Sequence, residues 1–241
     1  MKNLLLRMGF LGFDLTIRKR VTFLKSIRNS NVLDVGCGRG YISYLLSKKS
    51  NEVLGVDHDE AAINSAISRY GDSAKFRVMK IGELCKLNER FDCVVCMEVI
   101  EHIKDDAKLL RDMRSVLKEG GLLTLSTINS ECYLNSISTP KISKVEDGGD
   151  VRAGYTKEEL ARNLAAAGFE DVKISSCIGR ITQRALSIEY SLRSIKAISY
   201  NQIYRAFIFA LLCPISLLDN SHNKNDDMTL VVFARKGGLR E

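Results

Sequence analysis

The stretch Val32-Leu-Asp-Val-Gly-Cys-Gly-Arg-Gly40 decides the fold. It joins a short apolar run, read as a strand over Asn31–Val35, to a segment whose Ile42, Leu45 and Leu46 follow helical spacing as far as Lys49. Gly36, Gly38 and Gly40 fall at alternate positions between the two, so the backbone can turn sharply and meet a ligand with no Cβ in the way. A helix starting near Tyr41 aims its first amide groups at that ligand. The spacing is not that of a dinucleotide loop, because Tyr41 stands where the third glycine of Gly-x-Gly-x-x-Gly belongs. Gly-Lys-Ser/Thr is absent too, which excludes a phosphate-cradling P-loop. The pattern suits a ligand without a diphosphate.

Downstream the same alternation repeats. Val53–Val56 reads as a second strand ending at Asp57, and Asp59 caps a helix with Ile63, Ala66, Ile67 and Tyr70 inward. Lys75–Met79 and the strongly apolar Phe91–Met97 follow as strands. A helix over Lys104–Lys118, stopped by Gly120-Gly121, precedes a fifth strand at Leu122–Ser126. Thr156-Lys-Glu-Glu159 forms a capping box for a helix ending at Gly168, and Phe169–Ser175 and Thr229–Ala234 complete the strands. Strands alternating with helices give an α/β fold with a doubly wound, mostly parallel seven-stranded sheet. Cys93 and Cys96 point to opposite faces of one strand and read as core residues rather than a redox or metal pair.

The chain has 241 residues, an ordinary apolar share of 45% and a net charge of +7. One domain over 1–241 is expected, with 1–30 as an N-terminal helical cap and 178–227 as a helical insertion before the last strand. The longest apolar run, Ala206 to Leu212, is too short to cross a membrane, and Arg7 interrupts the start of the chain before a signal sequence can form. Seven cysteines in no regular array suit reduced thiols, so a cytoplasmic protein is expected. Seven basic residues oppose Asp14 alone in the first 30, and five oppose Glu189 in 178–218. Such patches favour an anionic partner, or serve only as a solvated surface.

Asp57, at the tip of the second strand, is placed to accept both ribose hydroxyls of an adenosine. With that residue the resemblance is plain. Val32–Gly40, Val-Leu-Gly-Val-Asp57, Phe91-Asp-Cys-Val-Val-Cys-Met-Glu-Val-Ile-Glu-His102 and Leu117-Lys-Glu-Gly-Gly-Leu-Leu123 together resemble class I S-adenosylmethionine-dependent methyltransferases, over roughly residues 30–175. The Glu-Val-Ile-Glu-His form and Asp150-Val-Arg-Ala-Gly-Tyr-Thr-Lys-Glu-Glu-Leu160 are similar to the ubiquinone-biosynthesis O-methyltransferase branch.

The resemblance implies a Rossmann-like methyltransferase fold with S-adenosyl-L-methionine as cofactor. It implies that Asp34, Gly36, Cys37, Gly38 and Gly40 line the methionine portion and that Asp57 and the neighbouring His58 hold the ribose side. Ile81, Gly82 and Glu83 are implied at the adenine, although many relatives place an acid where Lys80 and Ile81 stand. Met97 and Glu98 are implied beside the methyl donor. Methyl transfer needs alignment above all, and a hydroxyl acceptor also has a proton to lose. His102 is the first candidate for the base, with Glu98 and Glu101 as carboxylate alternatives; an acid at Glu101 also suits the first turn of a helix. Some relatives bind a divalent metal through these glutamates, this histidine and a second histidine downstream. The corresponding loop here, Asp147-Gly-Gly-Asp150, holds no histidine, and no metal site is expected.

A small-molecule or lipid-linked acceptor, methylated at oxygen, is the expected substrate. The fourth strand lacks the Asn/Asp-Pro-Pro-aromatic signature of enzymes acting on planar amino groups, and no RNA-binding module is present, so nucleic acid is not the expected partner. Peripheral membrane contact through 198–218, packing of that segment on the core, RNA or protein methylation, and an inactive cofactor-binding scaffold remain the alternatives.

Overall fold

The computed structural model describes residues 15–137, 142–146, 148–193, 210–214, 218–219 and 224–237. Strand β1 (Asn31–Val35) runs parallel to β2 (Glu52–Asp57) on one side and β4 (Phe91–Met97) on the other. Its alternate residues face different layers. Leu33 and Val35 join one core with Val94 and Cys96, whereas Val32 joins a second core with Cys93 and Val95. A strand covered on both faces has no polar side to show, which is why these stretches are apolar without alternation. The two cysteines of the fourth strand are therefore buried packing residues on opposite faces.

With β3 (Lys75–Val78), β5 (Leu117–Ile128), β6 (Phe169–Cys177) and β7 (Thr229–Lys236), the sheet order is β3-β2-β1-β4-β5-β7-β6. Strands β1 to β5 pair in parallel, and β7 runs antiparallel to both β5 and β6. The chain starts in the middle, winds out to β3, then returns and winds the other way from β4, so the order reverses between β1 and β4. Helices α1 (Leu15–Arg20), α2 (Tyr41–Ser47), α3 (Glu60–Tyr70), α4 (Asp106–Val116), α5 (Tyr133–Ile137), α6 (Lys157–Ala166) and α7 (Arg180–Arg193) surround it. Leu109, Leu110 and Met113 of α4 and Leu160 and Leu164 of α6 fill the first core; Leu24, Ile27 and Leu46 of α2 fill the second. Each fully buried leucine such as Leu110 contributes roughly 1.5–3 kcal/mol relative to exposure.

Both sequence-level caps are present. The Asp59 carboxylate accepts from the backbone N–H of Ala61 and Ala62 at 2.8 and 3.2 Å, and Thr156 Oγ1 accepts from that of Glu159 at 3.1 Å. Two expectations need correction. Ile67 is 48% exposed, because α3 turns Ala62, Ile63, Ala66 and Tyr70 inward instead. Gly120-Gly121 does not stop a helix. α4 ends at Val116 and passes directly into β5, where Leu117 pairs with Phe91 but Leu122 pairs with Cys93, so the glycines lie in the excursion that this register shift creates. Gly120 has φ +71°, and a Cβ on Gly121 would lie 2.8 Å from the Lys118 carbonyl.

In the expected cap, Leu15–Arg20 and the 3-10 turn Val21–Leu24 are helical, and residues 1–14 lie outside the described residues. In the insertion, α7 and residues 210–214 are helical. Residues 194–209, 215–217 and 220–223, and with them most of the segment expected to contact a membrane, lie outside the described residues. Among the described residues no helix is long and apolar enough to cross a membrane.

Candidate active site

In an open α/β sheet, ligands bind outside the carboxyl ends of the strands where the order reverses, here the ends of β1 and β4 with β2 beside them. The glycine hairpin leaves β1 at that point. Gly36 and Cys37 both donate to the Val56 carbonyl, at 2.8 and 3.0 Å, and Gly40 donates to the Cys37 carbonyl at 2.9 Å. All three glycines have positive φ, +71°, +51° and +80°. They serve different purposes. A Cβ on Gly36 would lie 2.4 Å from Val99 Cγ2, and one on Gly40 would lie 2.7 Å from the Phe76 ring and 2.9 Å from Ala66 Cβ. A Cβ on Gly38 would meet nothing within 4 Å, so that side of the position borders open space.

Asp57 closes the hairpin from β2. One carboxylate oxygen accepts from Gly38 N–H at 2.8 Å and the other from Asp59 N–H at 2.9 Å. Each oxygen keeps a further acceptor position, and His58 Nδ1 stands 3.3 Å from Oδ1. Asp34 has a different setting. It is 2% exposed and its carboxylate accepts from Ser43 Oγ at 2.6 Å, which ties β1 to α2 beneath the hairpin. Burial pushes its carboxyl up to about 7, with the Asp57 charge adding to the effect. Asp34 thus supports the loop and does not face open space. Cys37 is also buried, and burial with the nearby Asp34 raises its thiol well above the usual range.

Beside the hairpin lies a cleft of about 530 Å³. His58, Ile81, Gly82, Glu83, His102, Lys108, Glu146 and Gly148 are among the residues that line it. Ile81–Lys86 form a 3-10 turn, which Lys108 pins by donating to the Gly82 carbonyl at 2.9 Å.

At the tip of β4 the chain turns through Glu98 with φ +55°, a conformation costly for a residue with a Cβ. Its carboxylate accepts from Ser126 Oγ at 2.9 Å and lies 2.6 Å from Arg20 Nη1. A small cavity of about 90 Å³, lined by Ile17, Arg20, Ile42, Met97 and Glu98, separates the N-terminal helix from this tip. Glu101 is 1% exposed and accepts from Thr127 Oγ1 at 3.1 Å. Burial, with the Glu98 charge second, raises its carboxyl to about 8. His102 is half-buried, with Nδ1 3.1 Å from Asp150 Oδ1, and this carboxylate leads in raising its imidazole to about 9.

The sequence-predicted residues therefore divide into groups. His58, Ile81, Gly82, Glu83 and His102 share the open cleft; Gly36, Gly38 and Gly40 form the hairpin that Asp57 closes through Gly38 N–H. Met97 and Glu98 meet the N-terminal helix, and Glu101 and Asp34 are buried out of reach. Of the three candidate bases, His102 alone reaches the cleft. Sequence reasoning missed Arg20, which stood in a basic run with no partner in view, and the part played by Lys108. Among the described residues no three His, Cys, Asp or Glu side chains are grouped to hold a metal ion.

Known proteins share this fold. The profile of the methyltransferase domain family matches residues 13–174. The ubiquinone biosynthesis O-methyltransferase of Coxiella burnetii is 35% identical over 117 residues, 46% of this chain and 50% of that protein, so the match spans about half the relative's length. Among solved structures, phosphoethanolamine N-methyltransferase 2 of Haemonchus contortus in complex with S-adenosyl-L-methionine superposes with a TM-score of 0.62 at 17% identity, over 92% of this chain and 53% of that one. The N-methyltransferase NodS of Bradyrhizobium japonicum, in complex with S-adenosyl-L-homocysteine, gives 0.58 at 17% identity, over 96% and 91%. At such identities the structures establish the shared fold.

Proposed function

The chain belongs to the methyltransferase domain family of class I S-adenosylmethionine-dependent methyltransferases, and we propose that it methylates a hydroxyl oxygen on a small or lipid-linked acceptor. The observation that carries the reading is the position of His102, a side chain able to accept a proton, on the wall of a cleft also lined by His58, the residue next to Asp57.

The residues present fit the family's donor. An acceptor-only carboxylate with spare lone pairs, as at Asp57, suits a ribose diol. Gly38 leaves room for a close approach to the backbone, and His58, Ile81, Gly82 and Glu83 offer a wall for a flat base. When bound, S-adenosylmethionine supplies a methyl group already activated on a sulfonium. The chain's own task is then to orient the acceptor, exclude water and take one proton. In its neutral form, whose share grows as pH rises toward 9, His102 takes that proton from the acceptor hydroxyl. Glu98, engaged by Arg20 and Ser126, and Glu101, buried on Thr127, serve as supports. The relative's printed name, an O-methyltransferase, supports oxygen as the acceptor atom.

Transfer of labelled methyl to a panel of phenols, sugars and isoprenoid-linked phenols tests the reading. Incorporation at oxygen that is lost in His102→Gln supports it. Donor binding in calorimetry with no transfer to any acceptor would leave a cofactor-binding scaffold, and transfer to RNA or protein alone would replace the acceptor class. Co-sedimentation with acidic vesicles tests whether a lipid-linked acceptor is met at a membrane surface.

A further inference from the structure

We propose that Asp150 is the positioning residue of the site, holding Nδ1 of His102 so that Nε2 is the nitrogen offered to the cleft. The proposal rests on the reading of His102 as the base and deepens it.

Asp150 arrives from a separate part of the chain, and its place is built. On one side of it, Glu146 Oε1 accepts from the backbone N–H of Lys104 at 2.6 Å. On the other, Val151 donates its N–H to the Glu101 carbonyl at 2.9 Å. Arg152 then clamps the segment at 2.6–3.0 Å, with Nη1 on Asp106 and Nη2 on the carbonyls of Ile103 and Lys104. Ser143 N–H meets the Asp150 carbonyl at 2.7 Å, and Tyr155 N–H meets the Ile128 carbonyl at 2.9 Å. Gly154 fits here because a Cβ would lie 2.4 Å from the Ile128 carbonyl oxygen. The segment is thus stitched to residues 101–106 before and after Asp150, and Glu146 and Gly148 form part of the cleft wall.

His102 Nδ1 is buried and lies 3.1 Å from Asp150 Oδ1, off line for a finished hydrogen bond, so a small rotation of the ring completes the contact. A carboxylate on Nδ1 selects the tautomer with its proton there, leaving the lone pair on Nε2. The acceptor's O–H bond then breaks as an Nε2–H bond forms, and Asp150 stabilises the resulting imidazolium without itself taking the proton. Beyond Asp150, the groups facing the ring are the Gly149 carbonyl and Glu101. The other titratable groups lining the cleft are His58, Lys80, Glu83, Asp105, Lys108 and Glu146.

The test is nuclear magnetic resonance of histidine labelled with nitrogen-15 in the wild-type chain and in Asp150→Asn, with the His102 signals assigned from His102→Gln. In the wild type, the neutral ring carries its proton on Nδ1 and titrates above the ordinary imidazole range. In Asp150→Asn, the titration falls by one pH unit or more. With an acceptor in hand, kcat on its high-pH plateau falls about tenfold or more and its pH limb moves downward, donor affinity stays constant in calorimetry, and Asp150→Glu recovers part of the plateau rate. An unchanged titration overturns the proposal. So does an Nε2-protonated neutral ring in the wild type, a measurement that stands even when the variant fails to fold. The titration needs no turnover, so a shifted His102 in a chain that transfers no methyl removes the base reading and leaves the role of Asp150 intact.

Discussion

Arg20 Nη1 of the N-terminal helix stands 2.6 Å from Glu98 Oε2 at the tip of the fourth strand. Both side chains are largely enclosed, at 12% and 22% exposure, and Ser126 holds the other Glu98 oxygen. The contact ties the first described helix to the residue that turns the chain out of the sheet with φ +55°.

Replacing Arg20 with methionine keeps the apolar stem and removes the charge. The cost expected is about 1.5–3 kcal/mol in urea denaturation, the range for a hydrogen bond to a charged group. A double-mutant cycle with Glu98→Gln should return a coupling of similar size, and a coupling near zero would dissolve the link.

Asp57→Ala removes the acceptor for Gly38 and Asp59 N–H as well as the carboxylate assigned to the ribose. Donor affinity in calorimetry is expected to fall more than tenfold, about 1.4 kcal/mol or more. Asp57→Asn, which keeps the shape, separates charge from geometry. An affinity equal to wild type in both variants removes the ribose assignment.

The glycines should rank by their surroundings. Gly38→Ala meets open space and bears only the left-handed backbone cost, roughly 1–2 kcal/mol. Gly36→Ala and Gly40→Ala add collisions with Val99 and with Phe76 and Ala66, and are expected to lower the melting temperature further. Equal melting temperatures for the three would show that packing plays no part in the choice of glycine.

Stability should fall as the solution is made alkaline. Glu101 keeps its proton in the folded chain up to about 8, whereas the unfolded chain releases it near 4.5, so raising pH between these values favours unfolding. The His102 imidazole, raised from 6.5 to about 9, contributes stability that is full below about 6.5 and lost as pH rises through 9. Denaturation from pH 5 to 9 should show a steady decline, and Glu101→Gln should flatten it below pH 8. A variant as steep as the wild type would contradict the burial argument.

Much of the fold is legible because local rules and tertiary structure agree. The β1 and β4 boundaries follow from doubly covered apolar runs, and Asp59 and Thr156 cap where their side chains can reach backbone N–H groups. Gly120-Gly121 misleads because a glycine pair looks the same in a helix stop and in a strand excursion. What separates the two is the pairing of Leu117 with Phe91, a contact between distant residues. Asp34 is legible only in part: its place two residues before Gly36 can be read from the chain, whereas its burial on Ser43 depends on a residue of another element. Spacing marks Glu98, Glu101 and His102 together, yet only burial tells that one of them reaches the cleft. Arg20 carries no local signal, and the motif that contains Asp150 does not disclose its partner, since each meets a residue of another element.

The 178–227 insertion leaves the sheet after Cys177 and re-enters at Thr229, and these two residues are paired neighbours on β6 and β7. The excursion begins and finishes at one spot, so lengthening or shortening it adds little closure entropy and leaves every strand pairing in place. A change of length within the excursion therefore need not alter the register of the last two strands, whose pairing runs on from this spot to Phe169 and Lys236.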